Sequence, residues 1–308
     1  MGRWSGRKVA VLAGGQSSER EVSLRTGAAC AEALRARGLE VALVDVDAEL
    51  PARLRAAGVE VAFLALHGRH GEDGCVQGLL EVMGIPYTGS GVLASALGMD
   101  KVLSKVLFRS LGLSVADHRV FPAARAAEIR AADLPFAFPV VVKPSREGSS
   151  VGVSLVREPA ALGAACAEAA RGRGEIIVER YVKGKEVQVA VLDGRALGVI
   201  EVVPANEFYD YAAKYTAGTT TYHFPARIHE AEARLLHEAA ETAHRGLGCA
   251  GVTRTDFILD PAGTAWILEV NTLPGMTATS LVPKIAAGSG ISFGELCERL
   301  LDGAALRA

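Results

Sequence analysis

The first hundred residues alternate short apolar runs with stretches of helical spacing. VAVL at 9–12, VALVDV at 41–46 and VAFLAL at 61–66 are the runs, and strands this short separated by helix-length segments predict an open parallel sheet with helices on its faces. Ser18 and Glu21 have the spacing of a capping box ahead of the first helix, and Gly38 supplies its stop. Glu19 then falls in the first turn, where the helix dipole favours a carboxylate by about 0.3–1 kcal/mol, and helix stabilisation alone is a sufficient reason for it. A second helix starts at Asp100 and Lys101. It carries Val102, Leu103, Val106, Leu107 and Leu111 at helical spacing, an expected apolar face, and stops at Gly112.

Past Pro122, Pro135 and Pro139 the rhythm changes to strand pairs flanked by helices, which predicts an α+β unit. VVVKP at 140–144 and VGVSLV at 151–156 read as strands joined by SREGSS, and EIIVER at 175–180 follows. KEVQVAVL, RALGVIEVV, a long helix at 229–246, and the strands VTRTDFIL at 252–259 and TAWILEV at 264–270 come next, before a last helix capped by Ser292 and Glu295. Residues 205–224 have weak periodicity and many Tyr and Thr, which suits an active-site lid as well as an ordinary surface loop.

Composition narrows the classes. With 308 residues, half of them hydrophobic, the chain can bury a large core over two or three domains. Its 33 Lys and Arg against 35 Asp and Glu leave no electrostatic footprint for nucleic acid or an anionic membrane. No uncharged run approaches the roughly 18 residues of a membrane span. MGRWSGRK leads into a strand without the apolar segment of a signal peptide, and Gly6 stands where a myristoylation motif wants Ser or Thr, so a cytoplasmic protein is expected. Cys30, Cys75, Cys166, Cys249 and Cys297 are far apart and form no CxxC pair, which argues against a zinc site and a disulfide framework.

The densest chemistry lies at 252–271. Asp260-Pro261-Ala262-Gly263 reads as a hairpin turn, and with four loop residues Leu259 faces Thr264 and Arg254 falls opposite Glu269. Alternation then puts Arg254, Asp256, Glu269 and Asn271 on one face. Opposite and diagonal partners sit roughly 5–8 Å apart, a gap that one small divalent ion can bridge. Two carboxylates and an amide oxygen are hard ligands suited to Mg²⁺, which shares its coordination with waters and substrate phosphates. A solvated face with one Arg–Glu pair is the plainer reading of either strand alone.

Residues 146–152 supply a second feature, because glycine and serine let backbone N–H and hydroxyl groups wrap phosphate oxygens. The loop lacks the GK[ST] ending of a P-loop. Gly148-Ser149-Ser150-Val151-Gly152 also fits the GxSxG elbow of serine hydrolases, but that elbow needs a helix after the turn and residues 151–156 alternate as a strand. Residues 89–94 fit the dinucleotide pattern GxGxxA without the acidic residue it requires about 20 positions on. His67 ends the third apparent strand in a dense polar turn. Sites in such sheets gather at the strands' carboxyl ends, so contact with substrate stands beside an ordinary loop hydrogen bond. Lys143 closes an apolar strand, where a buried ammonium asks for an anion such as a nucleotide phosphate, unless it snorkels to the surface.

Seven blocks carry a wider likeness. GGQSSEREVSLRTG, ALHGRHGEDG, PYTGSGVLASALGMDK, VVKPSREGSSVGV, FYDYAAKY, GVTRTDFILD and ILEVNTLPGMTATSLVPKIA, in order from Gly14 to about Ile285, resemble the D-alanine:D-alanine ligases of the ATP-grasp fold. The resemblance implies an N-terminal open parallel α/β sheet, Rossmann-like, over 1–97. A two-lobed ATP-grasp fold follows, with a small central domain over 98–183 and a C-terminal domain with the metal site over 184–308. It implies a cytoplasmic homodimer that joins two D-alanines through an acyl phosphate, releasing ADP and phosphate, for peptidoglycan precursor synthesis.

By the same resemblance Lys101 and Lys143 hold ATP phosphates, Glu179 and Val182 offer backbone groups to adenine, and Glu186 takes the ribose hydroxyls. Lys214 lies on the closing loop as a further ATP contact, and Asp256, Glu269 and Asn271 hold two Mg²⁺ or Mn²⁺ ions. Glu19, Ser149 and Tyr215 form a hydrogen-bonded set in which Glu19 receives the first substrate's ammonium. Arg254 and the Gly275 amide face the reacting carbonyl, and Ser280 and Leu281 meet the second substrate's carboxylate. Tyr181 stands where relatives often carry Trp. Tyr215 favours an amine over a hydroxyl nucleophile, while D-serine and D-lactate stay open as second substrates. A carboxylate is a poor electrophile, so activation by ATP and exclusion of water are what the chemistry demands, and residues 205–224 are the expected lid. A non-catalytic nucleotide-binding module and a serine hydrolase independent of ATP are the readings from other classes.

Overall fold

Residues 3–172, 174–204 and 220–307 are described by the computed structural model, and over them the apolar runs assemble into three sheets. The first is parallel, in the order β2-β1-β3, from β1 (Lys8–Ala13), β2 (Glu40–Asp45) and β3 (Val61–Leu64). Every residue from Val9 to Ala13 is buried, as a central strand covered on both faces requires. Helix α1 (Arg20–Ala36) takes one face, with Val9, Val11, Cys30 and Leu34 in one cluster. Helices α2 (Leu50–Ala57) and α3 (Cys75–Met83) take the other, against Ala10 and Leu12. At Gly27 of α1 a Cβ would fall 2.4 Å from that of Ala13, so only glycine lets this helix approach β1 so closely.

Two expectations about helices need correction. The Ser18–Glu21 capping box does not form: Glu19 is the N-cap of α1 and no side chain caps that end. The Ser17 hydroxyl accepts the Glu19 N–H at 3.2 Å instead. Helix α4 (Val92–Met99) then leads through Asp100 into α5 (Lys101–Ser110), and there the Asp100 carboxylate does cap, accepting from the N–H groups of Val102 at 3.0 Å and Leu103 at 3.2 Å. The inward face of α5 is not the apolar one. Lys101, Ser104, Lys105 and Phe108 are buried, whereas Leu103 and Val106 are 50% and 62% exposed. The spacing that predicted the helix was right about its period and wrong about its rotation.

The second sheet is antiparallel, in the order β4-β7-β5-β6, from β4 (His118–Phe121), β5 (Val140–Pro144), β6 (Ser154–Val156) and β7 (Ile176–Arg180). Helix α6 (Leu162–Ala169) covers it. The expected strand at 151–156 shrinks to its last three residues because Ser149, Ser150 and Gly152 have φ of +50°, +58° and +70°, a conformation no strand accommodates.

The third sheet has the order β10-β9-β8-β11-β12, from β8 (Lys185–Leu192), β9 (Arg195–Pro204), β10 (Thr220–His223), β11 (Val252–Leu259) and β12 (Ala265–Asn271). Helix α7 (Glu230–Leu247) packs on one face, where Leu236 and Ala240 share a cluster with Phe108 of α5 and Phe257 of β11. On the other face α8 (Leu281–Gly288) and α9 (Phe293–Asp302) merge with the core of the first sheet: Ala190, Ile200, Ile285 and Leu296 join Val11 and Leu34 in one cluster. Ser292 caps α9 as expected, accepting the Glu295 N–H. No helix among the described residues is long and apolar enough to cross a membrane.

Candidate active site

The β11–β12 hairpin keeps its expected charged face but exchanges the partners on it. Leu259 pairs with Ala265 rather than Thr264, and Leu268 is an extra residue of β12 at an irregularity beside Asp256. Asp256 therefore sits opposite Glu269, and Arg254 opposite Asn271. The turn moves the pairing by one residue and the bulge at Leu268 moves it by one more, so Arg254 shifts by two positions along β12 and the face is kept. Arg254 binds Asp256 in a two-pronged pair at 2.7 and 2.8 Å. Glu269 accepts the Lys101 ammonium at 3.1 Å, and Lys101 also donates to the Glu147 carbonyl at 2.7 Å. The amide oxygen of Asn271 accepts the Leu273 N–H at 3.0 Å.

Two cavities meet at this hairpin. The larger, about 870 Å³, is lined by Glu19, His67, Ser149, Arg254, Asn271, Gly275, Ser280 and Leu281. The smaller, about 430 Å³, is lined by Lys143, Glu179, Val182, Glu186 and Asp256. Lys101, Glu147 and Glu269 belong to both. Every expected site residue that is described thus borders one cavity or the other; Lys214 and Tyr215 lie outside the described residues.

In the larger cavity the Glu19 carboxylate accepts a hydrogen bond from the Ser149 hydroxyl at 2.5 Å, joining the start of α1 to the β5–β6 loop. His67 is buried, with Nε2 at 3.0 Å from the Thr26 hydroxyl and Nδ1 at 3.5 Å from Glu72. Ser280 is the N-cap of α8, so the free N–H groups and dipole of that helix face an acid bound beside it. A Cβ on Gly275 would sit 2.7 Å from the Ser280 hydroxyl oxygen, so that hydroxyl lies directly over the glycine. Lys284, one turn further along α8, lies over the ring of Tyr222 at 4.2 Å and also borders this cavity. Its isolated position in the sequence gave no signal.

Behind the smaller cavity lies a second missed group. Glu179 is buried and holds two ammonium groups, Lys143 at 2.5 Å and Lys105 at 2.9 Å. Burial alone would raise the Glu179 carboxyl, but Lys105 and Lys143 override it and bring it down to about 2. Burial, helped by Lys143 and Lys101, pushes Lys105 down to about 8 against the pull of Glu179. Lys101 and Lys105 are four residues apart, a spacing that puts both on one helix face, and this signal was available in the sequence.

The donor set on the hairpin fits a hard divalent cation. Asp256 and Glu269 face each other with the Asn271 oxygen alongside, and each carboxylate is now neutralised by a neighbouring cation, Arg254 or Lys101. Oxygen donors of this kind suit Mg²⁺ or Mn²⁺. The serine-hydrolase elbow is excluded by its surroundings, since a strand and not a helix follows residues 148–152.

The model of the D-ala D-ala ligase C-terminus matches residues 107–302, and that of the D-ala D-ala ligase N-terminus matches residues 48–90. The chain belongs to the D-alanine–D-alanine ligase family. It is 73% identical over 308 residues to the D-alanine–D-alanine ligase of Anaeromyxobacter sp. (strain Fw109-5), covering 100% of both chains. A crystal structure of the Bacillus anthracis D-alanine–D-alanine ligase superposes with a TM-score of 0.87 at 34% identity, covering 97% of each chain. The same enzyme complexed with ATP gives 0.81 at 33% identity over 96% of each chain. The parallel sheet followed by two antiparallel sheets is thus the ATP-grasp architecture expected from the motifs.

Proposed function

We propose that this protein joins two D-alanine molecules into D-alanyl-D-alanine, with ATP converted to ADP and phosphate. The observation that carries the reading is the meeting of the two cavities at Lys101 and Glu269. A nucleotide in the smaller cavity would present its last phosphate to an amino acid in the larger one. Lys101 and Lys143 would hold the phosphates, the backbone of Glu179 and Val182 the adenine, and Glu186 the ribose. Asp256, Glu269 and Asn271 would hold two Mg²⁺ or Mn²⁺ ions, which supply positive charge against the transferred phosphoryl group.

The chain's own side chains do the rest. Glu19, oriented by Ser149, takes the ammonium of the first D-alanine and leaves its carboxylate facing the hairpin, with His67 on the same cavity wall. The carboxylate oxygen attacks the γ-phosphorus, the bond from that phosphorus to the β–γ bridging oxygen breaks, and ADP leaves as the acyl phosphate forms. The second D-alanine, its carboxylate held by Ser280 and Leu281 at the start of α8, attacks with its free amine, and phosphate leaves. Arg254 and the Gly275 N–H would take the oxyanion of that step. Lys214 and Tyr215 take the roles the family likeness assigns them, on a segment that shields the acyl phosphate from water. The same reading keeps three units, 1–97, 98–183 and 184–308, supported by one sheet in each, and a cytoplasmic homodimer supplying peptidoglycan precursors, supported by the family.

Purified protein with Mg-ATP should release phosphate only when D-alanine is present and should favour D-alanine over D-serine or D-lactate as acceptor. Phosphate release that ignores D-alanine would defeat the reading, and a preference for D-serine would replace the acceptor.

A further inference from the structure

Lys105 is fully buried, yet it borders neither cavity. Its ammonium lies 2.9 Å from one oxygen of Glu179, and the other oxygen of Glu179 lies 2.5 Å from Lys143, which does border the smaller cavity. Two buried cations therefore share one buried carboxylate. Within the trio one positive charge is in excess. Lys101 already has its own partner in Glu269. His118, across from Glu179 on β4, is pushed below its ordinary range by burial and is neutral near pH 7. Uncompensated charge in the interior is costly, and the arrangement makes sense when an anion enters from the cavity side.

The geometry also shows what a single lysine would fail to do. Paired only with Glu179, Lys143 could turn toward a phosphate only by stranding a buried carboxylate, a penalty that would be subtracted from nucleotide affinity. Resting on the nucleotide reading of the smaller cavity, we propose that Lys105 is a positioning residue for ATP: it keeps Glu179 paired when Lys143 gives its charge to the phosphates. Lys105 touches no substrate. Its effect runs through Glu179, and that dependence is measurable.

The test is calorimetric titration of the full-length protein with Mg-ADP in a four-variant cycle. Lys105→Met leaves the Glu179–Lys143 pair balanced, so the protein should fold and yet lose about 10-fold or more in ADP affinity. In a Glu179→Gln background the same substitution should change affinity by less than about 3-fold, because no carboxylate remains to be held. Equal losses in both backgrounds would overturn the role. Lys105→Gln, which keeps hydrogen-bond donors without charge, should lose as much affinity as Lys105→Met, and full affinity in that variant would also overturn it. No ADP binding by the unsubstituted protein would instead remove the nucleotide reading and the role of Lys105 with it.

Discussion

Helices α5 and α9 begin alike and end differently. Both are capped where the sequence places a cap, by Asp100 and Ser292. Helix α9 then buries Leu296, Cys297, Leu300 and Leu301, the stripe its spacing offers to the core. Helix α5 buries Lys101, Ser104, Lys105 and Phe108 and leaves Leu103 and Val106 in solvent. Where packing alone decides, apolar area goes inward. Where a helix must deliver ammonium groups to a charged hairpin and a buried carboxylate, apolar area is given up at about 25 cal/mol per Å². The rotation of α5 thus follows from the carboxylates it meets, Glu269 and Glu179.

That contrast can be broken at several points, and the largest effect belongs to the groups α5 serves. Glu269→Gln removes the partner of Lys101 and one of the three proposed metal donors; turnover should fall by about 100-fold or more with the thermal transition retained, since oxyanion-type and metal-assisted stabilisation of a transition state is worth that much. Ordinary turnover in that variant would remove the hairpin from the chemistry. On α9 the loss should be of stability instead. Leu296→Ala empties a fully buried site and should cost about 2–5 kcal/mol in denaturant unfolding, with kcat unchanged in the folded fraction. A cost below about 1 kcal/mol would mean that the α8–α9 layer is loosely packed.

The pH dependence of stability separates the two regions further. Glu179 has a pKa near 2 in the folded protein against an ordinary 4.5. A depressed carboxyl stabilises the fold above the unfolded value, and that contribution is lost as pH falls from about 4.5 toward 2. Replacing the trio's charges by Lys105→Met with Glu179→Gln should flatten this acid limb in urea unfolding measured between pH 5 and pH 3. An unchanged slope would show that Glu179 is not what the acid limb reports. The smallest effect is expected on the outer face of α5, where Leu103→Ala should change stability by less than about 0.5 kcal/mol. A larger loss would show that this face is covered in solution.

Much of this was legible in the chain. The short apolar runs marked the strands because a strand covered on both faces is apolar throughout, and the cap residues at Asp100 and Ser292 marked helix starts because a local hydrogen bond decides them. Two things were not legible. Hairpin register depends on a turn one residue longer than expected and on a bulge at Leu268, and the count of turn residues reveals neither. The Ser18–Glu21 box failed because the helix starts one residue later, with Glu19 as its N-cap, and Glu19 in turn meets Ser149, 130 residues away, a partner that a window of four residues cannot contain. The site residues themselves came mostly through likeness of motifs. Lys284 had no signal beside it, and Lys105, four residues from Lys101, was masked by the apolar pattern on the opposite side of its own helix.

The central claim, that a carboxylate in the larger cavity is activated by the nucleotide in the smaller one, is tested most directly by D-alanine labelled with ¹⁸O in its carboxylate. Attack on the γ-phosphorus and later expulsion of phosphate transfers one labelled oxygen per turnover, so mass spectrometry should find one ¹⁸O in the phosphate released with each dipeptide. Dipeptide formed with unlabelled phosphate would contradict the account.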